Sequence, residues 1–136
     1  MTIGYIFDPV TRVRTRAGSN AFTYSDGEEI EIRLLNAIER AKDLSAASEE
    51  LANEIVDWPS EYHLSNTRHN LLRPISIGPK HRVLELGCGC GAMTRYLGET
   101  GATVVAVEGS KRRAQIAASR CRDLPNVTIY CDNLIN

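Results

Sequence analysis

The chain has 136 residues, 43% of them hydrophobic and 24% charged, which is enough length and apolar content for one domain with a real core. A net charge of -1 gives no electrostatic case for nucleic acid or a membrane surface as partner. No run approaches the roughly 18 apolar residues of a spanning helix, and the N-terminus (M-T-I-G-Y-I-F-D-P) shows no secretory signal, so a cytoplasmic protein is expected.

The first 25 residues carry little pattern. Thr2 to Phe7 predict a short strand. Arg12, Arg14 and Arg16 alternate with Val13 and Thr15, which suits an exposed strand or extended loop; its arginines form either a solvated edge or an anion patch. Ala17 to Asn20 read as a loop. Ser25-Asp-Gly-Glu28 fits a capping box, and Ile30, Leu34, Ala37, Ile38 and Ala41 follow at helical spacing, predicting a helix over 27–43. A second helix starts at Ser48, with Glu49 and Glu50 in its first turn, and ends at Trp58-Pro59, because proline restricts the residue before it. Ser65 opens a third short helix that runs to Arg73 before Pro74 and Gly78-Pro79.

A different pattern begins at Arg82. The decapeptide R-V-L-E-L-G-C-G-C-G is an apolar strand carrying Glu85 that runs into Gly87, Gly89 and Gly91, with a helix over about 91–99 behind it. A buried strand, a glycine turn and a helix N-terminus make a nucleotide-cofactor site. Thr103–Val107 is a β-branched apolar run that reads as a strand buried on both faces. Ser110 caps another helix, with Ala114, Ala117, Ala118 and Cys121 on its inner face, and Val127–Tyr130 is a further strand. Strands alternating with helices imply a parallel sheet with right-handed crossovers. The expected organisation is a mostly helical extension over 1–79 and a βαβαβ cofactor-binding half over 80–136, packed as one unit.

The four cysteines, Cys88, Cys90, Cys121 and Cys131, lack the paired spacing of a zinc framework and read as reduced structural thiols, so no metal site is expected. A reactive Cys88 is the alternative reading, because a helix N-terminus lowers thiol pKa.

Two acids end strands on the edge that faces a ligand crevice. Glu108 is placed to accept the hydroxyls of a ribose, and Asp132 to accept a hydrogen bond from an adenine amino group. Gly87-x-Gly89-x-x-Ala92 satisfies the relaxed dinucleotide pattern, which leaves a nicotinamide cofactor open. Glu85 argues the other way. It lies where it would repel a pyrophosphate but attract an ammonium group, and the extra Gly91 lets backbone lie close to a flat nucleoside. Lys111, Arg112 and Arg113 could meet a 2′-phosphate, but Glu108 would oppose one, and an exposed first turn of the helix explains them as well.

E-L-G-C-G-C-G resembles the first motif of the class I S-adenosylmethionine-dependent methyltransferases, V-V-A-V-E-G-S their second and N-V-T-I-Y-C-D-N their third, in the correct order over 80–136. The resemblance implies an α/β fold, a partial doubly wound parallel sheet with three strands of that family's fold, preceded by the helical lead-in. It implies S-adenosyl-L-methionine as cofactor, lined by Gly87, Cys88, Gly89 and Gly91. Glu85 would lie near its methionine part, and Glu108, Gly109, Asp132 and Asn133 would hold the nucleoside. Tyr62 to Arg73 is similar to the helix that several such enzymes place over the cofactor, making Arg68 the candidate for its carboxylate and Tyr62 a packing residue.

The family's sheet has seven strands in the order 3-2-1-4-5-7-6, and this chain stops after the third. It therefore reads as the cofactor-binding half of an enzyme, inactive alone, with the catalytic residues and the methyl acceptor unidentified. A non-catalytic binding or assembly module is the alternative reading. The strand at 82–86 would have a bare outer edge, an open pairing template. Either a second copy of the chain or the N-terminal strand is expected to cover it.

Overall fold

The computed structural model of the chain describes residues 4–18 and 25–135. It contains strands β1 (Tyr5–Asp8) and β2 (Val13–Arg16), helices α1 (Glu28–Arg40), α2 (Glu49–Ala52) and α3 (Trp58–Leu64), and a 3-10 turn at Arg68–Leu71. The alternating part follows: β3 (Arg82–Leu86), α4 (Ala92–Glu99), β4 (Thr103–Glu108), α5 (Lys111–Arg120) and β5 (Val127–Cys131). Thr2, Ser19 and Asn20, which belong to the expected first strand and loop, lie outside the described residues.

The helical lead-in differs from expectation at its boundaries. The residue that caps α1 is Gly27, at φ 113°. Ser25 Oγ instead accepts the Gly27 amide at 3.0 Å and donates to Glu31 at 3.0 Å, so the box with Glu28 does not form. Ser48 caps α2 as its sequence suggests, accepting from the Leu51 amide at 3.1 Å, but the helix lasts only four residues. Trp58-Pro59 starts a helix instead of stopping one. Asp57 caps α3, with a reciprocal bond from Ser60, and proline stands in the first turn, where its missing N–H has no helical partner to lose. Ser65 closes α3, and Arg68 lies in the separate 3-10 turn.

The sheet order is β1-β2-β5-β4-β3, antiparallel between β1 and β2 and parallel elsewhere. The N-terminal hairpin thus extends the sheet beyond β5, with Arg14 opposite Tyr130 and Thr15 opposite Cys131. This overturns the idea that the N-terminal strand covers the outer edge of β3: it is bound at the opposite end of the sheet. It also moves the arginines off the edge. Arg14 stacks its guanidinium 5.3 Å from the Phe7 ring, Arg16 pairs with Asp132, and Arg12 with Glu39.

The core lies between the sheet and one layer of helices. Ala114, Ala117 and Ala118 of α5 bring that helix close to Ala106 and Ile129, and Leu97 of α4 packs with Ala102 and Val104. The lead-in forms the outer layer: Leu34, Ile38, Leu51 and Leu64 close over Cys90 and Ile116. Two arginines near the end of α5 fasten the layers. Buried Arg120 donates to the carbonyls of Leu44 and Ser45, both at 2.8 Å. Arg122 donates to those of Ile38 and Ala41, both at 3.0 Å, satisfying the end of α1 where helix carbonyls lack partners.

The other face of the sheet is bare of described elements. Leu84 and Leu86 stand 63% and 59% exposed, in register with half-buried Val105 and Val107. The strand expected to be buried on both faces is therefore buried on one: Val104 and Ala106 are fully covered, and their neighbours are not.

Candidate functional site

The site is built where β3 turns into α4. The turn is possible because Gly87, Gly89 and Gly91 adopt φ of 74°, 57° and 88°, a region that residues with a Cβ avoid. The glycines divide into two jobs. A Cβ on Gly87 would meet nothing within 4 Å, and one on Gly89 would only brush His63 at 3.9 Å, so these two leave open space. A Cβ on Gly91 would lie 2.8 Å from Ala117 Cα, so this glycine lets α4 start against α5. The amides of Gly87 and Cys88 both donate to Val107 O, at 2.8 and 3.1 Å, tying the turn to the end of β4.

A cavity of about 60 Å³ opens at this turn, lined by Tyr62, His63, Arg68, Glu85, Gly87, Cys88 and Gly89, with Cys90, Ala92 and Met93 behind them. The structure thus brings together six of the residues singled out from sequence: Tyr62, Arg68, Glu85, Gly87, Cys88 and Gly89. The Arg68 guanidinium lies 3.7 Å over the Tyr62 ring and donates to Tyr62 O at 2.8 Å. Glu85 Oε2 accepts from Thr94 Oγ1 at 2.6 Å. Burial pushes the Glu85 carboxyl up, against the pull of the Thr94 bond and the nearby Arg68 charge, and Glu108 adds to the upward push. A desolvated carboxylate of this kind gains from a bound cation.

Glu108 links the two loops at the top of the sheet. Its Oε2 accepts the Gly89 amide at 2.8 Å and its Oε1 the Ser110 amide at 3.1 Å, and the side chain is largely buried. Gly109 follows it and accepts a weak bond from Cys131 Sγ. Asp132 is next along, its amide donating to Glu108 O at 3.1 Å, but its side chain does not line the Glu85 cavity. It turns to the hairpin, accepting from Tyr5, Arg16 and the Asn133 amide. Asn133 in turn accepts from the Ile135 amide. Burial pushes Asp132 up, but the bonds from Arg16, Tyr5 and Asn133 together outweigh it and hold the carboxyl below its ordinary range.

The surroundings of Cys88 favour a structural thiol over the reactive alternative. Both turn cysteines are buried, and burial drives their pKa upward, with Glu85 and Glu108 adding to it at Cys88. All four cysteines are free and buried.

Sequence reasoning missed a buried polar chain behind the cavity. His63 Nε2 lies 3.0 Å from Asp26 Oδ2, which also accepts from Arg113 Nη2 at 2.6 Å. Arg113, read as an exposed residue of a helix's first turn, faces inward. Desolvation lowers the pKa of His63 against the pull of Asp26. A signal was present: Asp26 stands directly before the Gly27 that opens α1. Its partners, however, are 37 and 87 residues away. Among the described residues no group of three or more His, Cys, Asp or Glu is placed to hold a metal, and no helix is long and apolar enough to cross a membrane.

A parallel β–α–β–α–β unit, a glycine turn leaving the first strand and an acid closing the second define a Rossmann-like half-domain. Residues 83–136 match the family model described as "Methyltransferase domain". The chain is 36% identical over 61 residues to a demethylmenaquinone methyltransferase of Tropheryma whipplei (strain Twist), covering 45% of this chain and 26% of that protein. It is 34% identical over 71 residues to ribosomal RNA small subunit methyltransferase A of Streptococcus sanguinis (strain SK36), covering 52% and 24%. The matched stretch thus spans about a quarter of the length of these curated relatives. Among solved structures, the geranyl diphosphate C-methyltransferase of Streptomyces coelicolor A3(2), in complex with S-adenosyl-L-homocysteine, overlays 74% of this chain and 36% of its own. The TM-score is 0.46 at 20% identity.

Proposed function

We propose that this chain is the S-adenosyl-L-methionine-binding half of a methyltransferase. The observation that carries the reading is the pairing of a desolvated carboxylate, Glu85, with a guanidinium, Arg68, across one small cavity at a glycine turn. A carboxylate held there attracts an ammonium group and would repel a pyrophosphate.

In this reading Glu85 receives the ammonium and Arg68 the carboxylate, while Tyr62 holds the guanidinium flat. Glu108 keeps acceptor positions for ribose hydroxyls beyond the two backbone amides it already takes, since a carboxylate offers about four. Gly87 and Gly89 leave the turn free of side chains where the ligand passes. Asp132, Gly109 and Asn133 form the nucleoside end. The bound cofactor would supply a methyl group on a positively charged sulfur. The chain's own contribution is to orient it, which is the larger part of such catalysis. No residue here is assigned to the acceptor, and the isolated chain is proposed to transfer no methyl group.

Calorimetric titration of the chain with S-adenosylhomocysteine, with NAD as the parallel ligand, tests the reading. Binding of the first alone is expected, weakened about tenfold or more by Arg68→Gln, as for loss of one charged hydrogen bond. Binding of NAD, or an Arg68→Gln variant indistinguishable from the parent, would overturn it. Turnover of a methyl acceptor by the purified chain would sink the half-enzyme version while leaving the cofactor assignment in place.

A further inference from the structure

Asp132 stands one residue beyond β5, and the N-terminal hairpin grips it. Tyr5 Oη donates to Oδ2 at 2.5 Å, Arg16 Nη2 to Oδ1 at 2.7 Å, and the Asn133 amide to Oδ1 at 2.8 Å. An ionised carboxylate has about four acceptor positions. Three are taken, two on Oδ1 and one on Oδ2, so a single acceptor position remains, on the oxygen beside Tyr5.

The same acid lines an open cavity of about 360 Å³ with Tyr5, Val105, Val107, Tyr130, Asn133 and Leu134, at the end of the uncovered face of the sheet. The Tyr5 and Tyr130 rings meet edge-on with centroids 4.8 Å apart. Flat apolar walls with one anionic acceptor suit an aromatic heterocycle that carries an N–H donor. The two cavities share no lining residue, but hydrogen bonds link their rims: the Asp132 amide bonds to Glu108 O and Glu108 accepts from the Gly89 amide. The hairpin is held there independently of any ligand, through the β2–β5 pairing at Arg14–Tyr130 and Thr15–Cys131.

We infer that Tyr5 and Arg16 are positioning residues for base recognition: they fix Asp132 so that its one remaining acceptor selects a base with an amino group over the same base with a carbonyl there. The hairpin is then a specificity element of the cofactor site and not merely an extra pair of strands. This inference rests on the cofactor reading above. The balance of interactions that keeps Asp132 ionised supports it, since a carboxylate can only accept and would face a base carbonyl with no proton between them.

The test is calorimetric titration of the full chain, Tyr5→Phe, Arg16→Gln and Arg16→Lys with S-adenosylhomocysteine and with S-inosylhomocysteine, alongside melting temperatures. The parent is expected to prefer the amino-bearing ligand by roughly tenfold to a hundredfold, and Tyr5→Phe and Arg16→Gln to lose about tenfold of that preference, the scale of one hydrogen bond to a charged group. Arg16→Lys should recover part of it by keeping the charge. A hairpin that only stabilises the fold would lower the melting temperature and both affinities together, leaving the ratio untouched, and that result overturns the inference. So does a parent chain that binds both ligands equally. A parent that binds neither overturns the cofactor reading, and this inference falls with it.

Discussion

Along β4 the side chains alternate between two environments. Val104 and Ala106 are fully buried under α4 and α5, whereas Val105 and Val107 look out beside exposed Leu84 and Leu86. Both faces are apolar, yet among the described residues only one is packed, and the helices of that side join the end of β4 in holding the glycine turn. Thr94 of α4 bonds Glu85, and Ala117 of α5 meets the start of α4 at Gly91. The difference teaches that the helical layer and the end of β4 place the turn together, and that an apolar residue's contribution depends on what covers it, not on its hydropathy.

The sharpest way to break this comparison is at Gly91. Gly91→Val adds a branched side chain at φ 88°, where the first carbon would already lie 2.8 Å from Ala117 Cα. A loss of about 3 to 5 kcal/mol is expected from strain and overpacking together, read as a fall in the urea midpoint. A loss below about 1 kcal/mol, within the ordinary run of substitutions, would mean that the contact with α5 does not place the turn. Next is Ile116→Ala, which empties a fully buried position between α5 and the lead-in helices and should cost about 3 kcal/mol.

Leu84→Thr, on the bare face, should cost no more than about 0.5 kcal/mol in the monomer. It sharpens the comparison, because a cost of several kcal/mol that grows with protein concentration would show a second copy covering that face. Sedimentation velocity on the parent and the variant would read the same association directly.

The smallest effect concerns α3, on the packed side. The hydrogen bond from Ser60, with that of Arg33, holds the Asp57 pKa at about 2, below its ordinary 3.8. A depressed carboxyl contributes stability that is complete above the unfolded value and is lost as pH falls through the folded one. The acid limb between about pH 4 and pH 2 should therefore be shallower in Asp57→Asn, measured by thermal melts across that window; an unchanged limb would dismiss the cap as a source of acid sensitivity.

Legibility from sequence followed the range of the interactions. β3, β4 and β5 and the Ser110 cap fall within a residue of expectation, because a β-branched run, a glycine turn and a capping serine are local signals. The gathering of Glu85, Arg68 and Tyr62 at one cavity was legible only through the family resemblance, since 17 or more residues separate Glu85 from the other two. Trp58-Pro59 was ambiguous for a local reason. Proline both ends one helix and suits the first turn of the next, and Asp57, the residue that decides, also fits an ordinary loop. The placement of the hairpin beside β5 and the His63–Asp26–Arg113 chain were not legible, because each joins residues far apart with no periodic pattern to announce the contact.

Trp58 is the chain's sole tryptophan, and its indole stacks on the Tyr62 ring with centroids 5.5 Å apart. Tyr62 in turn carries the Arg68 guanidinium on its ring and borders the Glu85 cavity. The molecule therefore contains its own optical reporter. Any ligand that draws Arg68 away from Tyr62 shifts the ring under the one strong emitter, so the intensity of native fluorescence can follow filling of the site without a label, a radioisotope or turnover.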